Sequence, residues 1–366
     1  MDAMDAVAWM TEAIEKARRS VNFCTSGTMR QVDPGIEAAG VGAIKLPLKP
    51  ATAKQLITAC KIAPYGKGTK TVVDRKVRNT FELDPKKFQL ADAWSAAIAG
   101  VTKQVAEELG LPADQLDAKV YKLLVYERGG FFLPHRDSEK LGRMVATLVV
   151  VLPSLFSGGE LVVVHESAKQ KFRFEEAASG SLPSFAAFYA DCEHEVLRVT
   201  RGRRVCLTYN LVLKPKRRSK KTKSPATAED VLAASMGSWI VARPAEPLVF
   251  ALEHQYTQRG LAVDLLKGVD RLTAKLVAAA AAKANCRVHL TQVSRHLLQF
   301  ADDGSFGHDH WHYRDVPTED LTIGETYEED VTGDKWKNFQ GKRRPFGTIA
   351  LKRPRDLTSV QSNSSR

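Results

Sequence analysis

The chain has 366 residues, 44% hydrophobic and 26% charged, with a formal net charge of +12. That composition fits an ordinary soluble protein long enough for two domains, and no apolar run approaches the roughly 20 residues needed to span a bilayer. The acidic start MDAMDAVAWM has no apolar leader core, and the five cysteines are widely spaced without a CxxC pair. The sequence therefore predicts an intracellular protein, cytoplasmic or nuclear, without disulfides or a thiolate zinc site.

Residues 1–115 read as a mainly helical support region. Residues 51–60 and 92–109 carry apolar residues at helical spacing, and the second segment ends at Gly110 and Pro112 as a helix should. Between them, APYGKGTKTVVDRKVRNT predicts a loop and a short strand. From residue 116 to 213 the texture changes to short strands separated by Gly, Pro and Ser: VYKLLVY, ATLVVVL, ELVVVHE, KFRF, SFAAFYA, HEVLRVT and RRVCLTYNLVL. No helix-length segment intervenes, which predicts a β-sandwich or jelly roll rather than a parallel sheet.

Residues 214–228 read as a linker. Within it KPKRRSKKTK, from Lys214 to Lys223, holds seven basic residues, without which the net charge falls to +5. A solvated linker, a nuclear-import signal and a nucleic-acid contact all fit such a run, with a linker ranked first and an import signal second; the absence of interleaved aromatics argues against base stacking. Residues 229–352 read as an α/β region, with a helical stretch over 261–285 and a strand over 286–293. Residues 353–366 read as a disordered tail. The fold class is thus α+β, with N-terminal helices and a C-terminal α/β extension around a β core.

In LPHRDSEK, His135 and Asp137 stand at i and i+2, which puts both side chains on one side of an extended segment. His194, opening a later strand, is the best candidate for a third ligand. Two imidazoles and one carboxylate cap one face of an octahedral metal and leave three positions free, a set suited to Fe(II) better than to zinc or calcium. Arg204 follows Gly202 near the start of the next strand and shares a face with Cys206 and Thr208. A guanidinium buried there needs a partner, and a dicarboxylic co-substrate bound to the metal by its other end supplies one.

With those residues in view, YERGGFFLPHRD, ATLVVVLPSLFSGGEL and FAAFYADCEHEVLRVTRGRR resemble the double-stranded β-helix of Fe(II)/2-oxoglutarate dioxygenases, prolyl 4-hydroxylase-like branch. More narrowly, the chain resembles uncharacterised intracellular members that carry VDxxVR upstream (Val73, Asp74, Val77, Arg78) and YT…LLKGVD downstream (Tyr256, Thr257 and Leu265 to Asp270). The resemblance implies that His135, Asp137 and His194 hold Fe(2+) and that Arg204 binds the distal carboxylate of 2-oxoglutarate. Tyr126 and Thr208 would make further co-substrate contacts. It also implies O2 as co-substrate, ascorbate as a reductant, and hydroxylation of a prolyl or other residue in a protein substrate, with succinate and CO2 released. A nucleic-acid demethylase and a catalytically silent binding module are the alternatives; a silent module would be expected to have lost one of the four residues.

Two departures stand out: Val151 occupies a position where many prolyl hydroxylases place a tyrosine on 2-oxoglutarate, and the C-terminal region is shorter. His308, His310 and His312 alternate in GHDHWHYRD, but Gly and Asp around them favour an exposed loop over a second metal site. His165 reads as closing a hairpin. Asp74 and Arg78, at i and i+4, fit an ordinary helical ion pair unless the resemblance makes them substrate-side residues.

Overall fold

The computed structural model describes residues 8–14, 22–67, 70–137, 141–215, 226–242, 249–302, 322–338 and 349–350. The tract between 216 and 225, the GHDHWHYRD histidines and the tail from 351 lie outside the described residues.

Strands are labelled here in chain order: β1 Cys24–Thr28, β2 Lys61–Ile62, β3 Arg78–Asn79, β4 Phe81–Leu83, β5 Leu116–Tyr126, β6 Phe131–His135, β7 Met144–Val151, β8 Leu161–His165, β9 Ala168–Phe172, β10 Ser184–Tyr189, β11 Glu193–Val196 and β12 Arg204–Leu213. They form one sheet in the order β1-β10-β7-β12-β5-β4-β2 and a second in the order β9-β8-β11-β6-β3. From β5 to β12 the chain steps between the two sheets, and the pairs joining these strands are antiparallel. This is a double-stranded β-helix.

The central strands β7 (MVATLVVV) and β10 (SFAAFY) are buried along their whole length because both of their faces are covered. One face looks into the barrel. The other is covered by helix α2, Asp92–Glu108, whose Trp94, Ile98, Val101 and Val105 form the buried stripe of an amphipathic helix. Trp94 Nε1 donates to the Tyr209 hydroxyl at 2.8 Å, which ties the helix to β12. Helix α1, Pro50–Ala59, carries proline in its first turn, where a missing N–H costs nothing.

The expectation of a mainly helical N-terminal region is corrected by these strands. Among the described residues there, α1, α2, residues 8–14 and a 3-10 turn at Pro85–Lys87 are helical, and short strands occupy much of the remainder. The reason is edge protection: β1 closes one edge of the large sheet against β10, and β4 and β2 extend the other beyond β5. Unpaired sheet edges expose backbone donors and acceptors, so nearby chain is recruited to them. The expected strand HEVLRVT likewise breaks in two, at Leu197 and Arg198, with its second half, Val199–Gly202, pairing with Phe156–Gly158.

One hydrophobic cluster runs from Met29 through the barrel to Leu265, so the N-terminal region and the barrel share a core. Beyond the barrel, helices α3 (Ala226–Ala242) and α4 (Gly268–Lys283) pack with Met10 and Ile14 in a second cluster. Strands Thr322–Asn338 and His289–Asp302 pair antiparallel after them. No helix among the described residues is long and apolar enough to cross a membrane.

Leu148 is fully buried on the α2 side of β7, paired with Tyr209. Leu148→Ala should lower the unfolding free energy by about 2–5 kcal/mol, read as a shift of the urea midpoint at constant slope.

Candidate metal centre

His135 ends β6 and is paired in register with His194 on β11, after a bulge between Phe132 and His135. Direct cross-strand partners point to the same face, so the two imidazoles meet, with ring centroids 4.1 Å apart. Asp137 follows β6 and brings Oδ2 to 3.8 Å from His194 Nε2. One ligand atom from each of the three residues lies within 4.8 Å of the others, a spacing that can hold a metal ion. Arg136, between them, is exposed.

Each imidazole has its tautomer set by a carbonyl. His135 Nδ1 donates to the Leu133 oxygen at 2.8 Å and His194 Nδ1 to the Cys192 oxygen at 3.1 Å. A carbonyl can only accept, so Nδ1 carries the proton and each Nε2 lone pair is free for a metal. The Thr147 hydroxyl donates to Asp137 Oδ2 at 2.6 Å. Sequence reasoning missed Thr147, although a lone hydroxyl inside the apolar run VATLVVVL was a readable signal.

Burial pushes the His135 imidazole down to about 3, helped by the neighbouring His194 and partly opposed by Asp137. Burial alone would raise the Asp137 carboxyl, but His194, His135 and the Thr147 hydrogen bond outweigh it and hold the carboxyl below its ordinary value. His135 is thus set as neutral imidazole and Asp137 as charged carboxylate, the protonation states that metal binding requires.

Thr147 also fixes which face of the large sheet looks inward. It pairs with Asn210, and strand periodicity then places Arg204, Cys206, Thr208 and Asn210 of β12 on that inner face. Arg204 is 1% exposed, and its guanidinium lies over the rings of Tyr126 and Phe174, 5.2 and 5.3 Å from their centroids. Its Nη1 reaches Cys206 Sγ at 3.4 Å, while Nε and Nη2 are buried without a partner. A desolvated cation with two orphaned donors is costly unless a ligand anion completes it. Gly159, with φ of +70°, makes room for this side chain: a Cβ there would stand 2.9 Å from Arg204 Cδ.

The other sequence candidates fall as follows. Tyr126 is buried and pairs with Arg204 across β5 and β12. Thr208 is on the inner face, with its hydroxyl donating to the Lys122 carbonyl at 3.2 Å. Val151 pairs with Cys206. Asp74 and Arg78 meet through the backbone, Arg78 N donating to Asp74 O at 2.9 Å, while their side chains go elsewhere: Asp74 Oδ1 accepts from Lys76 N at 2.8 Å and Arg78 Nη1 donates to Pro64 O at 2.6 Å. Arg78 lies 4.5 Å over the Phe132 ring and, with Nε buried and unpartnered, adds positive potential at the centre. His165 does close a hairpin, opposite Ala168.

Residues 121–212 match the 2OG-Fe(II) oxygenase superfamily. The match runs from within β5 to within β12 and contains all six residues named above for metal and co-substrate. A prolyl-4-hydroxylase from Pseudomonas putida is similar in structure at 14% identity over 55% of this chain and 98% of its own, with a TM-score of 0.33. A Trichoplax adhaerens prolyl hydroxylase, solved with a hypoxia inducible factor peptide fragment, is 12% identical over 57% of this chain and 91% of its own, with a TM-score of 0.35. A 2OG-Fe(II) oxygenase-family oxidoreductase from Burkholderia pseudomallei is 14% identical over 57% and 94%, with a TM-score of 0.31. No curated protein sequence matches the chain.

Metal-free protein should lose stability as pH falls from about 6.5 towards 3. In that window the unfolded chain protonates its histidine while folded His135 resists, and Asp137, held low, pulls the same way. Denaturant unfolding at stepped pH should therefore give a shallower loss for His135→Gln than for the parent. Equal slopes would show that His135 is not held neutral.

Proposed function

We propose that the protein is an Fe(II)/2-oxoglutarate-dependent oxygenase that hydroxylates a C–H bond in a protein substrate, with a prolyl residue as the leading target. The observation that carries this reading is the buried, half-satisfied Arg204 guanidinium on the inner face of the large sheet, the face from which Thr147 holds Asp137 of the His135, Asp137 and His194 cluster. The donor set fits Fe(II), and the orphaned donors fit the distal carboxylate of 2-oxoglutarate.

When bound, Fe(II) with 2-oxoglutarate and O2 supplies the oxidising chemistry that converts C–H to C–OH and yields succinate and CO2; ascorbate would keep the iron reduced. The chain supplies the rest. His135, Asp137 and His194 would hold the metal. Thr147 keeps the Asp137 carboxylate oriented. Arg204 fixes the far end of the co-substrate, while Tyr126 and Phe174 wall its guanidinium from water and Thr208 lines the same face. A protein rather than a small-molecule substrate is supported by the rim. Leu133, two residues before His135 on β6, is 43% exposed, an apolar side chain near the metal candidates suited to contact with an extended chain.

Purified protein given Fe(II), ascorbate, 2-oxoglutarate and candidate peptides should release succinate, and His135→Ala should release none. Arg204→Ala should raise the 2-oxoglutarate requirement roughly 10- to 150-fold, the equivalent of about 1.5–3 kcal/mol for a charge-assisted bond, while metal binding persists. Succinate release equal in the parent and His135→Ala would overturn the reading. Loss of metal from Arg204→Ala would reassign that residue.

A further inference from the structure

A second cluster of charged and imidazole groups lies three residues from a proposed iron ligand. Asp191 sits in the turn between β10 and β11, and its side chain is 9% exposed. Its Oδ1 accepts from Lys267 Nζ at 2.9 Å, and its Oδ2 accepts from His254 Nδ1 at 3.1 Å and Gln255 N at 2.9 Å. All three donors come from the C-terminal region. That region is itself braced by Asp270 in the first turn of α4. The Asp270 carboxylate accepts from Glu253 N, His254 N and the Tyr256 hydroxyl at 2.8–2.9 Å, and Tyr256 accepts in turn from Lys267 N at 2.8 Å. Lys267 Nζ also donates to the Gln255 carbonyl at 2.9 Å. The Tyr256, Lys267 and Asp270 of the downstream motif are thus committed to presenting donors to Asp191.

The consequence runs along the turn. Cys192, next to Asp191, donates its N–H to the Tyr189 carbonyl at 3.0 Å, and its own carbonyl takes the His194 Nδ1 proton. That bond sets the His194 tautomer and turns Nε2 towards Asp137. Resting on the function proposed above, we infer that Lys267 and His254, acting through Asp191, form a clip by which the C-terminal region positions His194 for metal. They are positioning residues; none of them touches the metal.

The same cluster has another geometry to answer for. Ligand atoms of His165, Asp191 and His254 also lie within 4.8 Å of one another, the spacing of a metal site. Both Asp191 oxygens, however, already have donors, and one of those donors is the His254 Nδ1 proton itself. A cation held by Asp191 would have to compete with those donors and settle beside the Lys267 ammonium. The arrangement reads as a buried, hydrogen-bonded ion pair.

Co(II) titration of the full-length protein, followed by d–d absorption and calorimetry, tests the clip. The parent should take up one Co(II), abolished in His135→Ala. Lys267→Met should bind it about 10- to 100-fold more weakly, the usual cost of losing an outer support of a metal ligand. Leu276→Ala, a packing change in the second core cluster, should lower the melting temperature and leave Co(II) affinity unchanged. If Lys267→Met does not fold, Tyr256→Phe carries the same expectation. Parental Co(II) affinity in a folded Lys267→Met or Tyr256→Phe overturns the clip and leaves the oxygenase reading standing. So does a second Co(II) per chain lost on His254→Ala. Absence of a His135-dependent Co(II) site would instead overturn the oxygenase reading itself.

Discussion

The antiparallel pairing that sets His135 opposite His194 is the constraint on which the rest of the centre depends. Cross-strand neighbours are held at a fixed spacing by the backbone ladder, so two imidazoles placed there converge whatever their rotamers prefer. Asp137 joins them because it follows His135 by two residues and leaves the strand on the same side. Every further feature refines that meeting point: the carbonyls of Leu133 and Cys192 fix the tautomers, and Thr147 steadies the carboxylate.

Arg204 imposes the second constraint. A guanidinium at 1% exposure with two unpartnered nitrogens would be expected to destabilise a fold. It is tolerated between two aromatic faces and a thiol, with a glycine at 159 admitting its stem, and its two unmet nitrogens remain matched to an anion. A site of this kind carries its specificity before any ligand arrives, because the unmet donors favour a carboxylate over neutral occupants.

Much of this was legible in the sequence. The core strands announced themselves by apolar runs between Gly and Pro, and His135, Asp137, His194 and Arg204 by residue chemistry on an alternating strand. Strands β2, β3 and β4 were not legible, because they are only two or three residues long and their pairing is dictated by exposed sheet edges rather than by their own pattern, whereas the short strand expected in APYGKGTKTVVDRKVRNT is met by Tyr65–Lys67 and Lys70–Val72. Asp191 was not legible either. It stands in the motif between strands, but its meaning comes from His254 and Lys267, 63 and 76 residues away, which no local spacing reveals. Asp74 and Arg78 illustrate the opposite error: helical spacing carries no weight in a segment that turns and enters a strand.

In the proposed clip the C-terminal region supports the candidate metal centre, since its donors end on the turn that precedes His194. The most direct measurement of the central claim is calorimetric titration of 2-oxoglutarate into protein loaded with Mn(II) under argon. One 2-oxoglutarate per chain is expected, with binding that disappears when the metal is removed and weakens in Arg204→Ala. Failure of the metal-loaded protein to bind 2-oxoglutarate, or binding indifferent to both metal and Arg204, would contradict the assignment of this barrel.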